Sequence, residues 1–131
     1  MPEDGKALVV LDLDDNGAPD FLCATNDGPV RLFDNARSMT GVGARGALCV
    51  QLRGAAGNPT AIGARIELFG GDGATAGVQQ ITAGSGYLSQ SSPAAWVARV
   101  QAGSRVRVRW PDGAVVEHAL ERNAGTVTVS R

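Results

Sequence analysis

A short acidic segment near the start of the sequence has the residue types and the spacing that a calcium ion requires. Side chains with ligand oxygens stand at its first, third, fifth and ninth positions, namely Asp12, Asp14, Asn16 and Asp20. Calcium is coordinated by about six to eight oxygen atoms, so a tight loop of alternating acids and amides supplies several ligands at once. Gly17 at the sixth position allows the loop to turn, and the backbone carbonyl of Ala18 at the seventh adds a ligand. We therefore predict calcium as the cofactor of this segment.

An ordinary acidic β-turn is the alternative interpretation, because Asp and Asn side chains also hydrogen-bond to their own backbone in turns. Carboxylates this close together repel one another unless a cation lies among them, and this favours the metal site. The segment begins like an EF-hand loop, but its twelfth position is Cys23 instead of a bidentate glutamate, and its flanks have strand composition. An EF-hand is therefore not expected. Asp15 stands at an even position and is expected to point outward.

The elements that must position the acidic segment are short apolar strands on both sides of it. Residues 7–13 and 21–24 are rich in β-branched and apolar types, residues 26–29 form a strong turn signal, and residues 30–33 are a third strand. Residues 1–36 are therefore predicted to form a single strand–loop–strand unit. Residues 37–46 are small, polar and rich in glycine, and we predict a linker there.

The rest of the chain, residues 47–131, is predicted to be one β domain. Short segments with alternating apolar and polar residues follow one another at roughly ten-residue spacing, with turn residues between them. The most regular of them is residues 106–110. Arg107 and Arg109, together with Arg105 just before this segment, should share the face opposite to the valines. No segment has a convincing helical period. The chain as a whole therefore predicts an all-β fold of about ten short strands, an antiparallel sandwich or a barrel.

Charge and composition restrict the function classes. The chain has 131 residues, with 12 Lys and Arg against 13 Asp and Glu, so a general attraction to nucleic acid is not expected. Eight of the acids occur in the first 35 residues, which suits a cation. No run approaches the roughly 18 apolar residues of a membrane span, and no signal peptide is recognised. Cys23 and Cys49 fit no metal spacing; they are either buried free thiols or one disulfide in an exported protein.

The acidic segment resembles the FG-GAP or VCBS repeat of integrin-type β-propellers, which carries Asp-x-Asp-x-Asp-Gly-x-x-Asp between two strands of a blade. The positions that match are Asp12, Asp14, Asn16, Gly17 and Asp20, with Asn in place of the third Asp. In that family such loops bind calcium and stiffen the blade. Only one copy is visible, and the length excludes a complete propeller within this chain.

The remainder, from about Leu48 to Val129, resembles the ASPIC and UnbV domain that follows such repeats in cartilage-acidic-protein-like secreted proteins. Four sequence blocks carry the resemblance: residues 52–58, 61–65, 84–91 and 108–113. The usual Phe-Gly-Leu-Gly block is missing, and residues 96–100 stand in its place. The resemblance implies an extracellular or periplasmic setting and a binding or adhesion role, and it supplies no catalytic residues.

A second candidate surface is the polar block Gly84–Ser92. Four of its residues could hydrogen-bond to a polar ligand such as a sugar: Ser85, Tyr87, Ser89 and Gln90. The alternative is a structural β-arch whose glycines allow a tight bend and whose tyrosine packs on the core. The block is not a nucleophile elbow, and the single histidine, His118, has the neighbours of an ordinary strand residue.

Taken together, these features predict a non-catalytic calcium-binding β module of an exported repeat protein, with a structural metal and a role in adhesion or ligand binding. The alternative is a small carbohydrate-binding or enzymatic β-barrel that acts through the Gly84–Ser92 block. Protein or carbohydrate partners are expected, without nucleic acid or membrane insertion. Exposed strand edges could also pair two copies of the chain.

Overall fold

The computed structural model describes residues 4–35, 48–97, 101–121 and 125–131, and within them it is all-β with no helix. The ten strands are β1 (Gly5–Leu11), β2 (Asp20–Thr25), β3 (Arg31–Phe33), β4 (Leu48–Arg53), β5 (Arg65–Phe69), β6 (Thr75–Gln80), β7 (Ala94–Val97), β8 (Arg105–Arg109), β9 (Val115–Ala119) and β10 (Thr126–Ser130). The prediction of about ten short strands is confirmed. These residues contain no helix long and apolar enough to cross a membrane.

The first sheet is antiparallel and has the order β1-β2-β3. Its register places Val10 opposite Phe21 and Phe21 opposite Phe33, so these side chains lie on one face. The acidic loop joins β1 to β2, and a tight turn with Asp27 at φ 55° joins β2 to β3. The strand–loop–strand arrangement predicted for this region is therefore present, and the predicted linker at 37–46 lies outside the described residues.

Two further sheets pack face to face and enclose the core. The second sheet has the order β10-β4-β7, with β10 parallel to β4, and the third has the order β6-β5-β8-β9. Alternating inward residues of both sheets, such as Val50 and Ile66, are fully buried in one cluster. Neither sheet closes on itself within the described residues, so the fold is sandwich-like and not a closed barrel. Trp110, which follows β8 at the start of the β8–β9 turn, is 3% exposed and belongs to the core cluster.

The outer face of the third sheet is a lattice of charges around one aromatic ring. The guanidinium groups of Arg105 and Arg107 lie 4.7 and 4.8 Å from the centre of the Phe69 ring. Arg107 Nη2 is 2.6 Å from Glu117 Oε1, and Arg107 Nη1 is 3.7 Å from Glu67 Oε2. The arginines that alternate with the core valines therefore form the outward face that the sequence predicts, and Arg105 and Arg107 are paired with glutamates of that face.

Two strands differ in position from the sequence prediction. The composition of residues 78–82 predicts a weak strand there, whereas β6 begins at Thr75 and ends at Gln80, because pairing with β5 sets its register. Residues 95–100 are apolar and predict another short strand; β7 begins at Ala94 and ends at Val97, and residues 98–100 lie outside the described part of the chain.

The first sheet docks against the sandwich through the free edge of β1. The Ser92 amide donates to the Val10 carbonyl at 2.8 Å, and the Val10 amide donates to the Ser91 hydroxyl at 3.1 Å. The Ser89 hydroxyl donates to the Leu8 carbonyl at 2.9 Å. Segments 80 residues apart in the sequence thus share hydrogen bonds, and the 89–92 segment occupies the edge of β1 that would otherwise be open.

Candidate metal centre

Three carboxylates converge in the loop between β1 and β2. Asp12, Asp14 and Asp20 each offer an oxygen, and these oxygens lie within 4.8 Å of one another. The two strands explain the convergence, because Leu11 and Asp20 are opposite each other in the antiparallel register. The end of β1 and the start of β2 are therefore adjacent, and the loop folds back over them. Asp20 is 1% exposed, Asp12 is half-buried and Asp14 is exposed.

Backbone amides hold two of these carboxylates in place. The Gly17 amide donates to Asp12 Oδ2 at 2.9 Å, and the Leu13 amide donates to Asp20 Oδ2 at 2.8 Å. The other oxygen of Asp20 accepts the Asn35 amide, also at 2.8 Å, so Asp20 connects the loop to the residues that follow β3. None of the ion pairs found among the described residues involves the three aspartates. Their orientation therefore comes from neutral donors, and no side-chain cation of the described residues is paired with their negative charge.

One oxygen of the cluster is buried and lacks a hydrogen-bond donor. Asp12 Oδ1 has no partner, whereas Asp12 Oδ2 is satisfied by Gly17. A buried charged oxygen without a donor is costly, and a bound cation is one way to satisfy it. An all-oxygen donor set with one unsatisfied carboxylate oxygen suits a hard divalent cation.

The other predicted ligands lie beside the three carboxylates. The Asn16 amide nitrogen donates to Asp14 Oδ2 at 3.0 Å and to the Asn35 carbonyl at 3.2 Å, while its oxygen accepts the Ala18 amide at 2.7 Å. This side chain therefore presents its nitrogen, and not its oxygen, to the Asp14 carboxylate. Ala18 is fully buried, and Asp15 is exposed as predicted.

Cys49 of β4 is a neighbour of this loop that the sequence did not reveal. Its strand neighbours Leu48 and Val50 point into the core, so Cys49 points to the other side of the second sheet, yet it is 0% exposed. Burial raises the pKa of the Cys49 thiol to about 11, and the negative charge of Asp12 adds to the shift. The acidic loop therefore lies against the outside of the second sheet. Cys23 and Cys49 are both free thiols.

The residues predicted for ligand contact in the Gly84–Ser92 block mostly bind the protein itself. Ser85 Oγ accepts the Ser91 amide at 2.8 Å, Ser89 donates to β1, and the Gln90 side-chain nitrogen donates to the Thr82 carbonyl at 3.3 Å. Tyr87 is 74% exposed. The block is thus a braced turn. Its tyrosine points into solvent, whereas the β-arch interpretation expected it to pack on the core.

A shallow cavity of about 180 Å³ lies beside this block, where β1 meets the edges of the two sandwich sheets. Its lining includes Val10, Gln79, Ser91 and Trp96. Ser85 is part of the lining, but the lining does not include the other three residues predicted for ligand contact. His118 is an exposed residue of β9, as expected of an ordinary strand position.

These observations define an all-β, sandwich-like protein with an acidic loop docked on its side. Residues 54–130 match the family model described as ASPIC and UnbV. This stretch is more than half of the chain, and the chain therefore belongs to the ASPIC and UnbV family. The match covers β5 to β10 and leaves β1–β3 and the aspartate cluster outside it. No curated protein matches the chain significantly.

Proposed function

We propose that the chain is a non-catalytic calcium-binding β module, in which the cation has a structural role. The observation that carries this proposal is the convergence of three carboxylates within 4.8 Å around an Asp12 oxygen that is buried and lacks a donor. Without a cation, the mutual repulsion of these carboxylates opposes the folded loop.

The chemistry of the donor set favours calcium over other metals. Every candidate ligand is a carboxylate, amide or carbonyl oxygen, and such hard ligands suit calcium or magnesium. Zinc sites use histidine and cysteine, and the three clustered residues are all aspartates. Calcium tolerates irregular coordination by a flexible loop, whereas magnesium demands near-octahedral geometry.

The cation would connect all three strands of the first sheet. Asp12 follows β1, Asp20 begins β2, and the Asp20–Asn35 hydrogen bond reaches the end of β3. Neutralising the cluster would therefore stabilise all three strands of the first sheet together.

The wider biological setting belongs to the same proposal. The spacing of Asp12, Asp14, Asn16 and Asp20 supports an FG-GAP or VCBS-type loop, and this supports a module of an exported protein with a role in adhesion or ligand binding. Carbohydrate binding or catalysis through the Gly84–Ser92 block draws less support, because three of its four candidate side chains hydrogen-bond within the protein.

A thermal melt with calcium and with chelator, at matched ionic strength, tests the proposal. Calcium at about ten times its dissociation constant should add ~1.4 kcal/mol, which raises the Tm by several degrees. Asp14→Ala should abolish the calcium response, because it removes an exposed member of the cluster without opening a core cavity. Asp15→Asn is the matched control, since Asp15 is its exposed neighbour outside the cluster and asparagine tolerates its φ of 58°. A wild-type Tm that ignores calcium up to millimolar concentration, or an unchanged response in Asp14→Ala, would reject the site.

A further inference from the structure

The most exposed large hydrophobic side chains among the described residues lie together at the end of one turn. Tyr87 and Leu88, which we call the tip, are 74% and 77% exposed. They lie between Gly86 and Ser89, which form an isolated antiparallel bridge. Leu88 has φ 51°, a left-handed conformation that is costly for a branched apolar residue. Leu88 therefore combines an exposed apolar side chain with an unfavourable backbone conformation.

The turn beneath the tip is braced so that the tip keeps its position. The Ser89 hydroxyl bonds to Leu8, the Ser85 hydroxyl accepts the Ser91 amide, and the Gln90 side chain bonds to Gly84 and Thr82. A Cβ on Gly86 would lie 2.3 Å from Ser89 Oγ, so this position accepts only glycine without rearrangement. Preorganised apolar side chains lose little entropy on binding, and this is a property of interaction hot spots.

A second apolar surface lies next to the tip on the first sheet. The register places Leu8, Phe21 and Phe33 on one face, which we call the open face, and they are 48%, 41% and 47% exposed. The tip is tied to the edge of this sheet by the bond from Ser89 to Leu8. No charged residue occurs in the sequence from 73 to 98, and a lack of charge is typical of the centre of a protein interface.

We propose that the tip of one chain packs on the open face of a second copy, and that a two-fold axis makes the contact reciprocal. Each copy carries both a projecting apolar tip and an open apolar face, so one symmetric contact covers all of them. The five side chains expose roughly 500–600 Å² per copy. Two copies would bury a little over ~1,000 Å², which is at the lower limit for a specific interface and predicts a weak dimer.

This contact differs from pairing of strand edges and goes beyond the calcium proposal. The edge of β1 is already occupied by the 89–92 segment, so edge pairing of the first sheet would have to use β3. The contact uses apolar side chains and requires no ligand oxygen of the aspartate cluster. Carbohydrate stacking on Tyr87, or a different protein on the same surfaces, would leave the chain alone monomeric.

Sedimentation equilibrium of the full chain from about 10 µM to about 1 mM tests the dimer, with calcium present throughout. The wild-type mass should rise with concentration to that of two chains. The double variant Tyr87→Ser, Leu88→Asn should weaken the association by at least about tenfold. Phe33→Ser, on the open face, should weaken it similarly. Both changes are at exposed positions, and a thermal melt of each variant checks that it is folded.

The matched control is Val115→Ser, because Val115 is 47% exposed but lies on β9 of the third sheet. It should leave the association unchanged. A wild-type chain that stays monomeric at all concentrations overturns the proposal. A dimer that survives both test variants also overturns it, because the contact then lies elsewhere. A dimer that Val115→Ser weakens equally overturns it too.

Discussion

The first sheet and the sandwich are stabilised by different kinds of interaction. Every member of the main buried apolar cluster belongs to the second or third sheet or to the turns between their strands, and none belongs to β1–β3. In the described part of the first region only Gly17, Ala18 and Asp20 are buried. The strands of this sheet are nonetheless apolar on both faces, and most of their side chains remain half-exposed. Sheets of this composition are normally covered on both sides.

The two regions therefore obtain their stability from different sources. The sandwich is stabilised by the burial of apolar area. The hydrophobic effect is non-directional, so this stabilisation tolerates variation in surface residues. The first sheet depends on specific polar contacts, namely the aspartate cluster, its backbone donors and the hydrogen bonds of β1 to the 89–92 segment. We therefore expect the first sheet to be the less stable of the two and the one that responds to ligands.

Matched leucine deletions in the two regions test this comparison with the largest expected effect. Leu68→Ala in β5 removes a side chain that is 1% exposed and should cost about 2–5 kcal/mol of unfolding free energy. Leu32→Ala in β3 removes one that is 47% exposed and should cost less than about 1 kcal/mol. Urea unfolding monitored by circular dichroism measures both. Equal costs would show that β3 is buried in solution by a contact outside this chain's own fold.

Loss of Asp20 should unfold the first sheet while the sandwich stays folded. Asp20→Ala leaves the Leu13 and Asn35 amides without their carboxylate partner and removes a member of the cluster. Each lost partner costs about 1–3 kcal/mol. Native-state hydrogen exchange should show loss of protection in β1–β3 and retained protection in β5 and β8.

The control for this variant is Asp27→Asn, because Asp27 is an exposed residue of the β2–β3 turn outside the cluster and asparagine tolerates its φ of 55°. It should leave exchange in β1 unchanged. If protection in Asp20→Ala falls uniformly over all ten strands, the two regions unfold as one unit and the comparison fails.

The sequence predicted those parts of the fold and the site that depend on local patterns. The alternation of residues 105–110 was enough to direct the arginines outward and the valines inward, because successive strand residues point to opposite faces. The aspartates converge as predicted since they are close in the sequence and share one loop. Whether calcium binds them stays a prediction.

The remaining features depend on contacts between distant segments, which a local pattern does not encode. Nothing in the sequence pairs Asp12 with Cys49 or Ser89 with Leu8, because these contacts form only when the first sheet docks. The expectation that Tyr87 packs on the core was wrong for a related reason. The serines and Gln90 use the inner side of the turn for hydrogen bonds, and this leaves the apolar residues outside.

The thiol at the junction of the two regions gives a pH test of their docking. The pKa of Cys49 is raised from 9.0 to about 11 in the folded chain, first by burial and then by Asp12. Between about pH 9 and pH 11 the unfolded thiol loses its proton while the folded one keeps it, so stability should fall as pH rises. Cys49→Ala should remove this part of the pH dependence, and Cys23→Ala should not. If the two variants lose stability in parallel with the wild type, Cys49 is accessible and the first sheet is not docked.

The smallest expected effect concerns the turn at which the two regions meet. Leu88 holds φ 51° and is 77% exposed, so among the described residues little burial compensates for the cost of its conformation. Leu88→Asn should stabilise the monomer by up to about 1 kcal/mol, because asparagine adopts left-handed backbone more readily. Gly86→Ala, two residues earlier, should instead destabilise it, since the new Cβ would collide with Ser89 Oγ and disturb its bond to β1. Thermal melts at low protein concentration measure the monomer alone. An Leu88→Asn variant that is less stable under those conditions would show that Leu88 packs within its own chain, and the tip would then belong to the sandwich instead of being free for a partner.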